Sequence, residues 1–200
     1  MDYLNQITGS VQARHQAGSG SMKLLTPLMI KIIAIGVILF VLLLVVGGML
    51  GGMASKATDI AKQVDVRMTN LMALEETYGK EVKSPKLRSI GTTLRGVMMD
   101  TTRDLGAYLT DLDGFNVAKA SGGWVDKETA TKDELTATLE NARLNGLLDE
   151  TFVREMSLQI ALLLSMESEV MERTENGDLK TIMSKSTESL QVIQNNLDNL

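Results

Sequence analysis

A chain of 200 residues holds one domain of ordinary size with some extension. It has no cysteine, two prolines and 13 methionines, and is 44% hydrophobic but only 4% aromatic, which excludes disulfide staples, thiolate metal sites and CxxC redox chemistry and argues against an all-β protein. Residues 1–54 carry three basic residues (Arg14, Lys23, Lys31) against Asp2, which leaves 17 basic and 24 acidic residues of the totals of 20 and 25 for the remainder, an acidic body with no Lys/Arg cluster to neutralise nucleic-acid phosphates.

In chain order, residues 1–26 read as a flexible polar N-terminal tail that contains the string 18-GSGS-21. Residues 27–54 read as a transmembrane helix. Thr26 is suited to cap it and Pro27 to begin it. Ile32–Met53 carries no charge over 22 residues, and at about 1.5 Å per residue spans about 33 Å, the thickness of a bilayer core. Lys31 lies one turn in and reaches back to the headgroups. The rival is a cleaved secretory signal ending at Gly52-Met53-Ala54, but its apolar region is normally about 7–15 residues, shorter than this run. Basic residues are evenly divided, with Arg14, Lys23 and Lys31 before the span and Lys56, Lys62 and Arg67 after it. Lys23 and Lys31 at the membrane edge favour the N-terminus inside and the body outside, at the cell's inner (cytoplasmic) membrane.

The span ends in 45-VVGGMLGGM-53. Gly47 and Gly51, and likewise Gly48 and Gly52, share a helix face four residues apart. Such doubled small-xxx-small strips let two membrane helices pack closely, so a second copy of the chain is one expected partner. The alternative is that these glycines merely loosen the end of the span.

From residue 57 the pattern becomes amphipathic. Ile60, Val64, Met68, Leu71, Leu74 and Tyr78 recur at helical spacing, and Gly79 with Ser84-Pro85 ends the helix and starts the next. The second helix, striped by Leu87, Ile90, Leu94, Met98, Leu105 and Leu109, ends at Asp113-Gly114. A glycine-rich loop, 113-DGFNVAKASGGW-124, holds Phe115, Val117 and Trp124, the single tryptophan. Aromatic residues in such a loop either anchor a ligand or partner, or fold over the bundle end as a plug. The segment 131-TKDE-134 has the form of a capping box, with Asp126 as an alternative cap, and predicts a short helix to Asn145-Gly146. Asp149 or Thr151 starts a fourth helix whose middle, 160-IALLLSM-166, is apolar nearly all round and reads as the most buried part. Asn176-Gly177 ends it, and Asp178 caps the last helix to Leu200.

The fold expected is therefore all-α: a single N-terminal membrane helix, then an up-down antiparallel bundle of four or five helices over residues 55–200. Heptads are too interrupted for one continuous coiled coil. This plan resembles that of several bacterial extracytoplasmic proteins, LemA-like proteins and chemoreceptor sensor domains among them, in architecture alone.

Chemistry is sparse. The one histidine, His15, lies in the polar tail, which leaves no base for a Ser/His/Asp or Cys/His scheme and no zinc or di-iron ligand set. No phosphate-cradling glycine motif occurs. Gly114 and Gly122 fall at the wrong positions of a calcium loop begun at Asp111. No cofactor or metal is expected. The acidic groups Glu75-Glu76, Asp133-Glu134 and Glu167/Glu169/Glu172 read as solvated faces, Arg103–Asp104 and Glu150–Arg154 as surface pairs, and the methionines mainly as core filler. The function expected is a non-catalytic structural or interaction module of the bacterial cell envelope, whose partners are membrane lipid, a second copy through the membrane helix, and a protein. The alternative is an extracytoplasmic sensory or small-ligand-binding bundle that signals through a membrane partner.

Overall fold

The computed structural model describes residues 57–200. They form five α-helices and no strand: α1 (Ala57–Leu74), α2 (Pro85–Asp113), α3 (Gly123–Leu144), α4 (Leu148–Arg173) and α5 (Gly177–Asp198). A π-helical turn, Glu75–Gly79, continues α1, and a 3-10 turn, Val117–Lys119, lies between α2 and α3. The expected tail, membrane helix and glycine strip Gly47/Gly48/Gly51/Gly52 lie outside the described residues. Among the described residues no helix is long and apolar enough to cross a membrane.

Four helices close a ring in which α1 packs on α2, α2 on α5, α5 on α4 and α4 on α1, while α3 lies outside the ring against α1 and α4. Contacts between helices fix their directions. Lys62 near the start of α1 pairs with Asp113 at the end of α2, and Arg95 reaches Glu76 at 3.0 Å, so these two run antiparallel. Ser186 and Thr187 of α5 meet Glu167 of α4, and Lys86 of α2 meets the carbonyl of Asn199, so both of those pairs are antiparallel as well. Arg67 lies level with Glu128, and Tyr78 with Thr136, which makes α3 parallel to α1. Every neighbour within the ring is antiparallel, as short turns favour.

The ring encloses one apolar core, built from Val64, Met68, Leu94, Met98, Leu105, Phe152, Met156, Leu163, Met183 and Leu190 among others, each at most 1% exposed. Met68, Met98, Met156 and Met183 are core filler, as expected for a side chain that adapts to irregular gaps. Helix α1 is the most enclosed: five consecutive residues, Val64–Met68, are buried, which requires cover on every side. Helix α3 provides that cover on the outer face. By contrast, 160-IALLLSM-166 is not buried all round. Ile160 and Leu163 face the core, whereas Ala161, Leu162, Leu164, Ser165 and Met166 are only half-buried.

Helix ends follow local chemistry where a side chain can reach the backbone. Ser84 accepts the N–H of Leu87 at 3.3 Å with Pro85 in first position, and Gly114 closes α2 in the left-handed region at φ 74°. Gly146 takes φ 73° in the turn before α4. Other boundaries differ from expectation. Helix α3 begins at Gly123, eight residues before the supposed capping box, and Thr131 instead donates its hydroxyl back to the Lys127 carbonyl at 3.0 Å within the helix. Residues 123–134 bury only Glu128, so no apolar rhythm announced this half of the helix. Asn176, not Asp178, caps α5 by accepting the N–H of Leu179. Asp149 does not cap its own helix. Its carboxylate accepts the N–H groups of Lys83 and Ser84, both at 2.8 Å, and so ties the α1–α2 turn to the start of α4.

Arg67 and Glu128 form a two-pronged pair between α1 and α3, with Nε–Oε2 at 3.0 Å and a second bond at 2.8 Å, and they are 5% and 4% exposed. Removing one partner of such a pair leaves a buried, uncompensated charge. Glu128→Ala is expected to destabilise the chain by about 3–5 kcal/mol, whereas Arg67→Met with Glu128→Leu is expected to recover most of that loss. Urea unfolding of both variants measures the difference.

Candidate functional site

The loop between α2 and α3 is held by its own polar groups. The Asp113 carboxylate accepts the Phe115 N–H at 3.2 Å, and the Thr110 hydroxyl donates to the Phe115 carbonyl at 2.9 Å. Asn116 accepts the Ala118 N–H at 2.9 Å and caps the 3-10 turn. Lys62, paired with Asp113, places its Nζ 5.4 Å from the centre of the Phe115 ring, within cation–π range. Phe115 is half-buried and packs against the core, as a plug would. Yet the loop does not seal the bundle end.

Two grooves flank it. One, of about 420 Å³, runs between α1 and α2 and is lined on the loop side by Phe115, Asn116 and Val117. The other, of about 360 Å³, lies between the start of α1 and the start of α3 and is lined by Asp59, Lys62, Phe115, Lys119 and Trp124 among others. Phe115 thus borders both grooves, Val117 the first and Trp124 the second. Trp124 belongs to the first turn of α3 rather than to the loop.

The first groove contains a residue that sequence reasoning passed over. Asp65 of α1 is 3% exposed and lines this groove. Gly106 of α2 stands opposite, so that a Cβ there would lie 3.9 Å from Asp65 Oδ2. No Lys, Arg or hydrogen-bond donor meets the Asp65 carboxylate, and burial alone pushes its pKa up to about 6. Arg103 also borders the groove, but its guanidinium is held at 3.0 Å by Asp100 and Asp104 on its own helix. Asp65 therefore carries the uncompensated charge of the groove.

Two further carboxylates, read from the sequence as solvated, are buried. Glu167 is 0% exposed and accepts the hydroxyls of Ser186 at 2.5 Å and Thr187 at 2.8 Å. Burial pushes its pKa up to about 7 against the pull of those two bonds. Glu75 is buried in the π-helical turn beside Gly79 and Gly91, and burial raises its pKa while Arg95, 3.9 Å away, lowers it. Glu76, Asp133 and Glu134 are exposed as expected. Arg154 pairs with Glu155 at 2.8 Å instead of with Glu150, whereas Arg103–Asp104 forms as expected.

A signal for these buried acids was present. Asp65 falls in the series Ala61, Asp65, Met68, and Glu167 in the series Ile160, Leu163, Glu167, Val170, both at the spacing of a buried stripe. An acid at a stripe position is buried with its helix face. The Arg67–Glu128 pair left no such trace, because it joins residues 61 positions apart. Among the described residues no group of three or more His, Asp or Glu side chains is placed to hold a metal ion.

No protein-family model matches this chain, and no curated protein or solved structure is significantly similar to it.

The raised pKa of Glu167 has a definite sign in stability. Its folded value of about 7 exceeds the free value of 4.5, so the fold disfavours the ionised form. Stability contributed by the protonated form is present at low pH and is lost as pH rises from the free value through the folded one. At full ionisation the loss is about 3 kcal/mol, at about 1.4 kcal/mol per pKa unit. Glu167→Gln is expected to melt several degrees above the parent near pH ~8, the gap closing toward pH ~5. Paired thermal melts across that range measure it.

Proposed function

We propose that the chain is a membrane-tethered, non-catalytic interaction module, with residues 27–54 as a single span and residues 55–200 as the binding body outside the inner membrane. The observation that carries this reading is the position of the open grooves. The smaller lies beside the start of α1, the end that residues 54–56 join to the uncharged run 32–53, and the larger continues along α1 past Asp65 and Thr69. A bundle that only spaced two points apart would need no half-exposed Phe115, Val117 and Trp124 bordering two open grooves. Glycines Gly47, Gly48, Gly51 and Gly52 supply the close-packing face through which a second copy pairs in lipid.

A second reading, an extracytoplasmic sensory or small-ligand-binding bundle that signals through a membrane partner, is supported by one specific observation. Asp65 keeps an unpaired carboxylate, buried at the floor of a groove, where burial of a lone charge costs stability. A group retained at such a cost is a candidate for recognition of a ligand.

Carbonate washing of membranes carrying the full chain tests the tether. The protein is expected to stay in the pellet, and deletion of residues 32–53 to release it. Complete extraction of the full chain by carbonate would end the membrane reading. Photocrosslinking from positions 115 and 124 tests the interaction surface, with discrete adducts expected from these sites and not from Thr92 on the exposed face of α2.

A further inference from the structure

The geometry points to the groove floored by Asp65 as a site for a small organic cation, a primary ammonium group on a short hydrocarbon chain. This rests on the ligand-binding reading above and names the chemistry of its ligand.

Three features of the groove select that chemistry. The first is the inventory of donors and acceptors. Asp65 offers a carboxylate with no donor in the protein to satisfy it. Three threonine hydroxyls border the groove, and each has already committed its hydrogen: Thr69 to the Asp65 carbonyl at 2.9 Å, Thr102 to that of Met99 at 3.2 Å, and Thr110 shared between those of Gly106 at 2.7 Å and Phe115 at 2.9 Å. A hydroxyl whose hydrogen is spent presents only lone pairs. The Asn116 amide and the Arg103 guanidinium are the donors on the rim, while the polar groups around the Asp65 carboxylate are acceptors, and their complement is a group rich in donors. An ammonium carries three.

The second is charge. The cation nearest in kind, Arg103, is neutralised by Asp100 and Asp104, and Lys62 is engaged with Asp113 across the loop. The groove's net demand is for one positive charge. A metal ion would need several ligating side chains, and no group of three stands together among the described residues. An organic cation needs one carboxylate and surrounding acceptors.

The third is shape. Gly106 leaves the space above the carboxylate open. Met99, Phe115 and Val117 add apolar wall nearer the surface, suited to the hydrocarbon part. A volume of about 420 Å³ falls in the range of small-molecule sites, about 300–1,000 Å³.

The test uses the full chain in detergent micelles, with n-butylammonium as probe and n-butanol and butyrate as matched neutral and anionic controls. Trp124, the single tryptophan, lies on the adjoining groove and reports binding by its fluorescence, with calorimetry as a second readout. Saturable binding of n-butylammonium is expected, with neither control binding. Asp65→Asn is expected to weaken it at least tenfold, about 1.4 kcal/mol. Gly106→Leu, which fills the groove and leaves the carboxylate in place, is expected to abolish it. That second variant keeps the test decisive if asparagine at 65 disturbs folding.

Binding of n-butylammonium unaltered by either substitution would place it elsewhere and overturn the proposal. Binding of n-butanol or butyrate in its stead, sensitive to Gly106→Leu, would overturn the cation while leaving a ligand-binding bundle. Absence of binding by all three would overturn the cation site. If a wider panel of neutral and anionic metabolites also left the melting temperature unchanged, the ligand-binding reading would fall with it.

Discussion

The position of α3 depends on one buried ion pair. This helix offers the core only Leu135, Leu139 and Ala142 as buried apolar residues, all in its second half. Its first half, where the candidate site begins, is held to α1 by the fork between Arg67 and Glu128. Two charges removed from water cost several kcal/mol each, and only a well-matched partner offsets that. The matched geometry is an arginine fork on a carboxylate, which satisfies two N–H groups and both oxygens at once. That requirement fixes the rotation and height of α3 on α1, because a shift of one turn would strand both charges. Trp124 and the loop ahead of it take their places from this register.

The other consequence of α3 is burial. By covering the outer face of α1 at Arg67 it completes the enclosure of five successive residues, Val64–Met68, of which Asp65 is buried on the side that faces Gly106 of α2. Here it lies between helices with a glycine opposite and no cation in reach. Burial of Glu167 has a different character. It is deep in the α4–α5 interface and satisfied by two hydroxyls from the neighbouring helix, so it acts as a polar rivet that orients α5. The contrast between a buried acid with partners and one without is what separates a packing feature from a candidate site.

How much of this was legible depends on the range of the signal. The stripes of α1, α2, α4 and α5 lie open in the sequence because each repeats an apolar residue at every turn, and burying that stripe is the condition of folding. Caps at Ser84 and stops at Gly114 and Gly146 were legible because they involve neighbours within a few residues. The first half of α3 was hidden, since a helix attached by a salt bridge has no apolar rhythm to read. Asp149 was misread as a local cap, because acids before helices usually serve their own helix, whereas this one serves the turn before α2.

The sequence by itself determined the all-helical class of residues 57–200, the places where most helices start and stop, and the methionine-rich composition of the core. Those follow from local periodicity and backbone chemistry, which act over a single turn. Only the tertiary structure decided which acids are buried, which of them have partners, and that Phe115, Val117 and Trp124 divide between two grooves. Those properties are set by residues far apart along the chain, because burial and charge compensation depend on what stands across the helix interface and not on what precedes in sequence.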